Sequence, residues 1–247
     1  DEVTTPNVYW SLLHAIGSGV SRISEIAARL GLAANQLTRY LTALQELGLV
    51  KRETAVTDTQ AHKSKRGQYQ VVDPFLRLWF GCVAPTESLL ELGKIEQAEQ
   101  VIRERLNRHL AWGFKQVCRQ HLEDRAEELG IVRVGRYWDR GLEIDAVGID
   151  EKNRVRVAAE CRWSSALCGS ADLRELRSKV AAAWPGEVDS VRLGLFSRSG
   201  FTRDLQRKAA GEALLLLTPE DLVGTSSRSP DRSSAGKRIS TRANPPS

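Results

Sequence analysis

Residues 141–163 read GLEIDAVGIDEKNRVRVAAECRW, and this stretch decides the fold of the chain. Residues 142–149 are apolar and rich in β-branched side chains, Asp150-Glu151-Lys152-Asn153 supplies turn chemistry, and residues 154–161 resume the apolar run. The pattern predicts two strands joined by a tight turn. Asp145 and Glu160 stand among hydrophobic neighbours, and burying a bare carboxylate is costly unless something pairs with it. Period-2 geometry puts Glu160 and Arg162 on one strand face. Two readings follow. The cluster is a structural set of ion pairs under a loop, or it is an acidic pair that holds a divalent cation beside a positive group, as phosphodiester hydrolysis requires.

Working outward, 247 residues suffice for two modest domains or one large one, and 41% hydrophobic with 27% charged residues fits a globular protein. Cys82, Cys118, Cys161 and Cys168 form no C-x-x-C pair. They read as small buried hydrophobes of a reducing compartment, not as a zinc site or a disulfide framework. The pattern of a signal peptide is missing, as is an apolar run of membrane-spanning length. The expected location is the cytoplasm, with no membrane partner. Of the formal net charge of +5, a surplus of four lies in residues 224–247, so nucleic-acid contact has to be argued from local clusters. That tail has no periodicity and is expected to be disordered. A chain that starts at Asp1 and contains no methionine is expected to be a fragment.

In chain order, residues 6–17 (PNVYWSLLHAIG) form a helix with an apolar stripe, and Ser24 opens a second, SEIAARLG, closed by Gly31. A third helix over residues 33–47 turns Leu37, Tyr40, Leu41, Leu44 and Leu47 inward. Its other face carries Asn35, Gln36, Thr38 and Arg39. A strand starts at Leu49, and Lys51, Arg52, Lys63, Lys65 and Arg66 make a basic wing. Three helices and a hairpin describe a winged helix-turn-helix. Its DNA-binding reading puts the third helix in the major groove and the wing cations on phosphate; its other reading is a protein–protein module, since the exposed helix face has one arginine. Residues 71–83 form an apolar connector, in which Asp73-Pro74 starts a helix. Amphipathic helical segments follow over 86–109 and 112–129. After the strand pair come a helix at 172–184, a buried strand at 190–197, a helix at 201–210, a strand at 213–218 and a last short helix from Pro219. That alternation predicts a mixed α/β sheet covered on both faces.

Several segments carry a family resemblance: YWSLLHAI (9–16), LTRYLTALQELGLVKRE (37–53), HKSKRGQYQVVDPFLRLWF (62–80), VGRYWDRGLEIDAVGID (134–150), AAECRW (158–163), LGLFSRSGFTRDL (193–205) and LLLLTPEDL (214–222). Over about residues 6–222 the chain resembles the C-terminal half of prokaryotic ATP-binding proteins, an AAA-like, STAND-type ATPase group. In these a winged helix follows the ATPase module, and an uncharacterised domain similar to PD-(D/E)XK nucleases closes the chain. The resemblance implies a winged helix-turn-helix over residues 1–73, a helical connector over 74–110, a restriction-endonuclease-like mixed α/β domain over 111–223 and a basic tail from 224. It implies that Asp145 and Glu160 occupy the two acidic metal positions, for Mg²⁺ or Mn²⁺. Two departures weaken that site. Arg162 stands where the family usually has lysine, and its fork essentially never deprotonates. Lys115 follows Phe114 where a glutamate is expected, which removes a carboxylate and adds repulsion; Glu143 is a substitute carboxylate. The glycine-rich phosphate loop of the ATPase is missing, because Gly17-Ser18-Gly19 lacks the lysine, so this chain holds no ATP site.

Three functions compete. The first is a regulatory, DNA-contacting portion of an ATP-binding protein, with a degenerate nuclease-like domain that does not cut and an ATPase module as partner. The second is an active Mg²⁺- or Mn²⁺-dependent deoxyribonuclease using Asp145, Glu160, Glu143 and Arg162. The third is a protein-interaction module without nucleic acid. The departures in the acidic site favour a protein that is not an enzyme as it stands.

Overall fold

The computed structural model describes residues 6–64 and 66–224. Lys65 and the expected disordered tail lie outside the described residues. The apolar stripes of the first segments form three helices, α1 (Pro6–Gly17), α2 (Ile23–Leu30) and α3 (Ala34–Glu46), followed by an antiparallel hairpin of β1 (Val50–Glu53) and β2 (Gln68–Val71). Leu12, Ile16, Ile26, Leu37, Leu41, Leu44 and Val71 close one core around the connector residue Phe80. α1 meets that ring end-on at Gly17, where a Cβ would stand 2.4 Å from the Cβ of Phe80.

Two local expectations change. α2 is capped at Arg22, not Ser24, because Glu25 accepts from the Arg22 amide at 3.4 Å and lets the first turn start two residues early. Leu47 is 64% exposed, because α3 ends before it and Gly48 turns the chain away with φ 70°.

Asp73 accepts from the Leu76 amide at 2.7 Å and starts α4 (Pro74–Leu78). The apolar run continues as a π-turn, Trp79–Val83, then α5 (Glu87–Glu91) leads into α6 (Ile95–Asp124). α6 is one helix of 30 residues, about 45 Å at 1.5 Å per residue. The two helical segments expected over 86–109 and 112–129 are thus largely continuous, and the boundary at 110/111 falls inside a helix that serves both halves. A turn of helix, α7 (Ala126–Leu129), ends it. No helix among the described residues is long and apolar enough to cross a membrane.

The C-terminal part is a five-stranded sheet in the order β3-β4-β5-β6-β7: β3 (Arg133–Asp139), β4 (Leu142–Ile149), β5 (Val155–Arg162), β6 (Arg192–Ser197) and β7 (Leu215–Leu217). β3, β4 and β5 pair antiparallel; β5, β6 and β7 pair parallel through crossover helices α8 (Ser170–Ala183) and α9 (Arg203–Gly211). α10 (Pro219–Gly224) follows. α6 covers one face with Phe114, Cys118 and Leu122 against Val157, Ala159 and Phe196. α8 and α9 cover the other with Leu173, Leu176, Val180 and Leu205 against Val147, Ala158 and Leu195. The mixed sheet with two covered faces matches its expectation; β3 was not anticipated.

β3 is an edge strand, and the wing covers it. The Val56 amide donates to the Arg136 carbonyl at 2.8 Å, the Val56 side chain enters the α/β core, and Asn153 donates to the Thr57 carbonyl at 3.1 Å. Gly135 makes this close, since a Cβ there would stand 3.0 Å from the Cβ of Val56. An open edge invites strand pairing with other chains, and the wing covers that edge at Arg136.

Candidate functional site

The carboxylates of the opening stretch meet where β4 leaves its neighbours. Ile144 pairs with Tyr137 and Val147 with Gly135, so three steps on β4 oppose two on β3, and Asp145-Ala146 bulges. On the other side β4 and β5 pair only from Ala146↔Ala159 onward. A fork therefore opens beyond Ala146, with Asp145 on one prong and Glu160 on the other. The Cys161 amide finds no β4 carbonyl there and donates instead to Asp145 Oδ2 at 3.1 Å.

Asp145 is 5% exposed and Glu160 7%, and each has its own lysine. Lys115 of α6 pairs with Asp145 at 2.5 Å, and Lys179 of α8 pairs with Glu160 at 2.7 Å. Arg119 of α6 donates to the Asp145 carbonyl at 3.1 Å. Burial, and then the Asp145 carboxylate, push the Glu160 carboxyl up to about 7 against the pull of Lys179. Lys179 also reaches Glu175 at 3.2 Å. Arg162, at the end of β5, pairs with the first turns of α8, 2.8 Å from Glu175 and 3.1 Å from Asp172, the latter off the hydrogen-bonding direction.

These residues do not fit a divalent metal. Each carboxylate already has an ammonium on it, and no group of three or more His, Cys, Asp or Glu stands close enough to hold a metal among the described residues. A hard cation needs about six oxygen ligands. Lys115 was expected to repel a cation; it takes one oxygen of Asp145 for itself. Glu143, expected as a substitute carboxylate, is drawn to Arg136 at 2.9 Å. Arg162 is held by α8 rather than aimed into the fork.

The DNA candidates divide. Asn35, Gln36, Thr38 and Arg39 are all exposed on α3. Gln36 accepts from the Ala33 amide at 3.3 Å, and the Arg39 guanidinium lies 4.5 Å over the Tyr40 ring. Lys51 is half-buried on β1 and Lys63 is exposed. Arg52 is turned inward, donating to the Ala61 carbonyl at 2.8 Å and to that of Ser64. Arg66 pairs with Asp139 of β3. Of the basic wing, Arg52 thus holds the loop's own shape and Arg66 pairs with the sheet, while Lys51 and Lys63 are left toward solvent.

Sequence reasoning missed Lys179 and Arg119. Both lie on helices remote in sequence from the carboxylates. Arg119 belongs to a visible signal, because Arg105, Arg108, Trp112, Lys115 and Arg119 recur at spacings of three and four along one face of α6.

Comparison with known proteins gives two families. Residues 11–54 match the IclR helix-turn-helix domain, so the N-terminal part is a helix-turn-helix. Residues 79–176, from the end of α4 through β3, β4 and β5 into α8, match DUF234, "Archaea bacterial proteins of unknown function". An uncharacterized protein of Methanocaldococcus jannaschii is 30% identical over 166 residues, 66% of this chain and 37% of that protein. The chain thus spans little more than a third of the length of that relative. The crystal structure of a Vibrio cholerae protein aligns over 88% of this chain and 49% of its own, at 14% identity and a TM-score of 0.32. That likeness is too loose to carry a fold argument.

Proposed function

We propose that this chain contacts DNA through α3 and carries a degenerate, non-cleaving nuclease-like domain. The observation that carries it is the exposed polar face of α3, with Asn35, Gln36, Thr38 and Arg39 on the second helix of a helix-turn-helix. Asn and Gln read adenine and Arg reads guanine in the major groove, each contact discriminating by about 1–3 kcal/mol. Lys51 and Lys63 supply phosphate contacts beside it. The nuclease-like part of this reading rests on the motif resemblance given above, and the lysines on Asp145 and Glu160 support a domain that recognises without cutting. An ATPase module acting with the chain belongs to the same proposal, on the motif resemblance given above.

Fluorescence anisotropy with duplex DNA between 50 and 200 mM salt tests this reading. Binding should weaken as salt rises, and Gln36→Ala with Arg39→Ala should weaken it further. Salt-insensitive or absent binding would instead favour a protein-interaction module.

A second reading, a Mg²⁺- or Mn²⁺-dependent deoxyribonuclease, draws on one observation: Asp145 and Glu160 lie close enough to raise the Glu160 carboxyl. Plasmid nicking with Mn²⁺ that disappears in Asp145→Ala would establish it. On the degenerate reading neither protein nicks, and Lys115→Glu gains saturable Mn²⁺ binding that the parent chain lacks.

A further inference from the structure

The basic stripe of α6 runs from exposed Arg108 to buried Arg119. From Arg108 onward it forms one wall of a cavity of about 320 Å³ between the two halves of the molecule, whose other walls are β2, the end of α1 with the turn after it, Arg77 of α4, Arg136 of β3 and Glu143 of β4. Five cations line it: Arg77, Arg108, Lys115, Arg119 and Arg136. Glu143 is the one carboxylate in the lining. Behind the wall, Glu53 pairs with Arg136 at 3.0 Å and Asp145 with Lys115. Even with both included, five cations face three carboxylates.

The surplus sits on three arginines. Arg119 is 7% exposed, yet among the described residues its one hydrogen bond goes to a backbone carbonyl, that of Asp145, and no carboxylate reaches it. A guanidinium has five N–H donors, so most of this fork has no protein partner. Arg77 lies 4.5 Å over the Trp112 ring and likewise has no carboxylate. Burial, and then the neighbouring Arg136, disfavour its charge. Arg108 completes the group at the mouth, where a smaller hollow of about 70 Å³ continues the basic surface toward residues 17–19 and Arg105. Buried cations are normally paired. For buried Arg119, no carboxylate among the described residues supplies that pairing.

We propose that this cavity binds a phosphate-bearing small molecule, the phosphate held by Arg77 and Arg119 with Lys115 and Arg108 beside them. Arginine forks match phosphate oxygens two at a time. The volume lies at the lower end of small-molecule pockets and suits a mononucleotide better than a duplex, which could not enter between the hairpin and α6. The ligand would touch the winged helix through Gln68 and Tyr69 and the α/β part through α6. Its binding therefore couples the two halves. Lys115 and Arg119 also hold Asp145, so the cavity adjoins the fork.

Isothermal titration of the full chain with inorganic phosphate, pyrophosphate and AMP, at low salt and again at 200 mM, tests the site. The expected result is saturable binding of at least one of the three, weaker at high salt, and weakened about tenfold by Arg77→Gln, since hydrogen bonds to charged groups contribute roughly that much each. Arg119→Gln should weaken it as much or more. Arg77 is the safer variant, because removing its disfavoured charge spares the fold. Arg156→Gln, an exposed cation on β5, should leave the affinity unchanged. Binding that is equal in Arg77→Gln and the parent chain would overturn the proposal. So would no binding of any of the three, including the case where only a single-stranded oligonucleotide binds. Duplex binding by α3 is read separately, so either result leaves the helix-turn-helix reading to its own test.

Discussion

Two clusters of charge share the residues Lys115 and Arg119, and they are built on opposite plans. In the β4–β5 fork every carboxylate has its cation: Asp145 has Lys115, Glu160 has Lys179, and Glu175 and Asp172 have Arg162. In the cavity beside it the cations outnumber the carboxylates, and among the described residues no carboxylate reaches Arg77 or Arg119. A matched buried set holds structure together and needs nothing further. An unmatched one is held at a cost by the fold and points to a group that arrives from outside. The acidic stretch that first suggested chemistry is thus the quieter of the two regions.

The sharpest way to break that comparison is to unbalance the fork. Asp145→Ala strands Lys115 and leaves the Cys161 amide without its acceptor. Removing one partner of a buried pair costs about 3–5 kcal/mol. Lys115 is partly exposed and can turn to solvent, so the lower end, about 3 kcal/mol, is expected in urea denaturation. Arg108→Ala, on the unmatched side, should change stability by less than about 0.5 kcal/mol. Equal losses would erase the distinction.

Next in size is a pH effect. The Glu160 carboxyl is raised from 4.5 to about 7 in the folded protein, by burial and by Asp145. A folded-state value above the unfolded one means that protonation favours folding. The contribution is full below about 4.5 and is lost as pH rises through about 7, on the order of 3 kcal/mol for a shift of this size. Glu160→Gln should flatten that part of the stability profile between about pH 4.5 and 7, the range between the unfolded and folded values. A slope unchanged in the variant would assign the titration to another group.

Much of this architecture was legible because it rests on local pattern. The α1–α3 stripes, the turn at Asp150 to Asn153 and the buried strands β4 to β6 follow from apolar spacing alone. β3 was not legible: Gly135 interrupts it, and most of its residues are half-buried. Its burial comes from the wing, which is a tertiary fact. The fork was legible as two carboxylates in apolar runs, but its balance was not, since Lys115 lies 30 residues before Asp145 and Lys179 lies 19 after Glu160. The α6 stripe was present in the sequence at its helical spacing. That it faces a cavity depends on the hairpin docking across from it.

The smallest expected effect concerns the wing, where one pair tests whether matching silences a cation. Arg66 and Asp139 are both largely solvated, with side chains 59% and 37% exposed, so Arg66→Ala should cost under about 1 kcal/mol. Its effect on duplex affinity should also be smaller than that of Arg39→Ala, because Asp139 already neutralises the charge. The reverse substitution carries more information. Asp139→Ala leaves the wing in place through Val56 and Asn153 but frees Arg66 for phosphate. The dependence of log affinity on log salt should then steepen by about one unit, the amount expected of one added phosphate contact. An unchanged slope would mean that the wing, held against β3, does not face the duplex at all, and that α3 with Lys51 and Lys63 carries the whole contact.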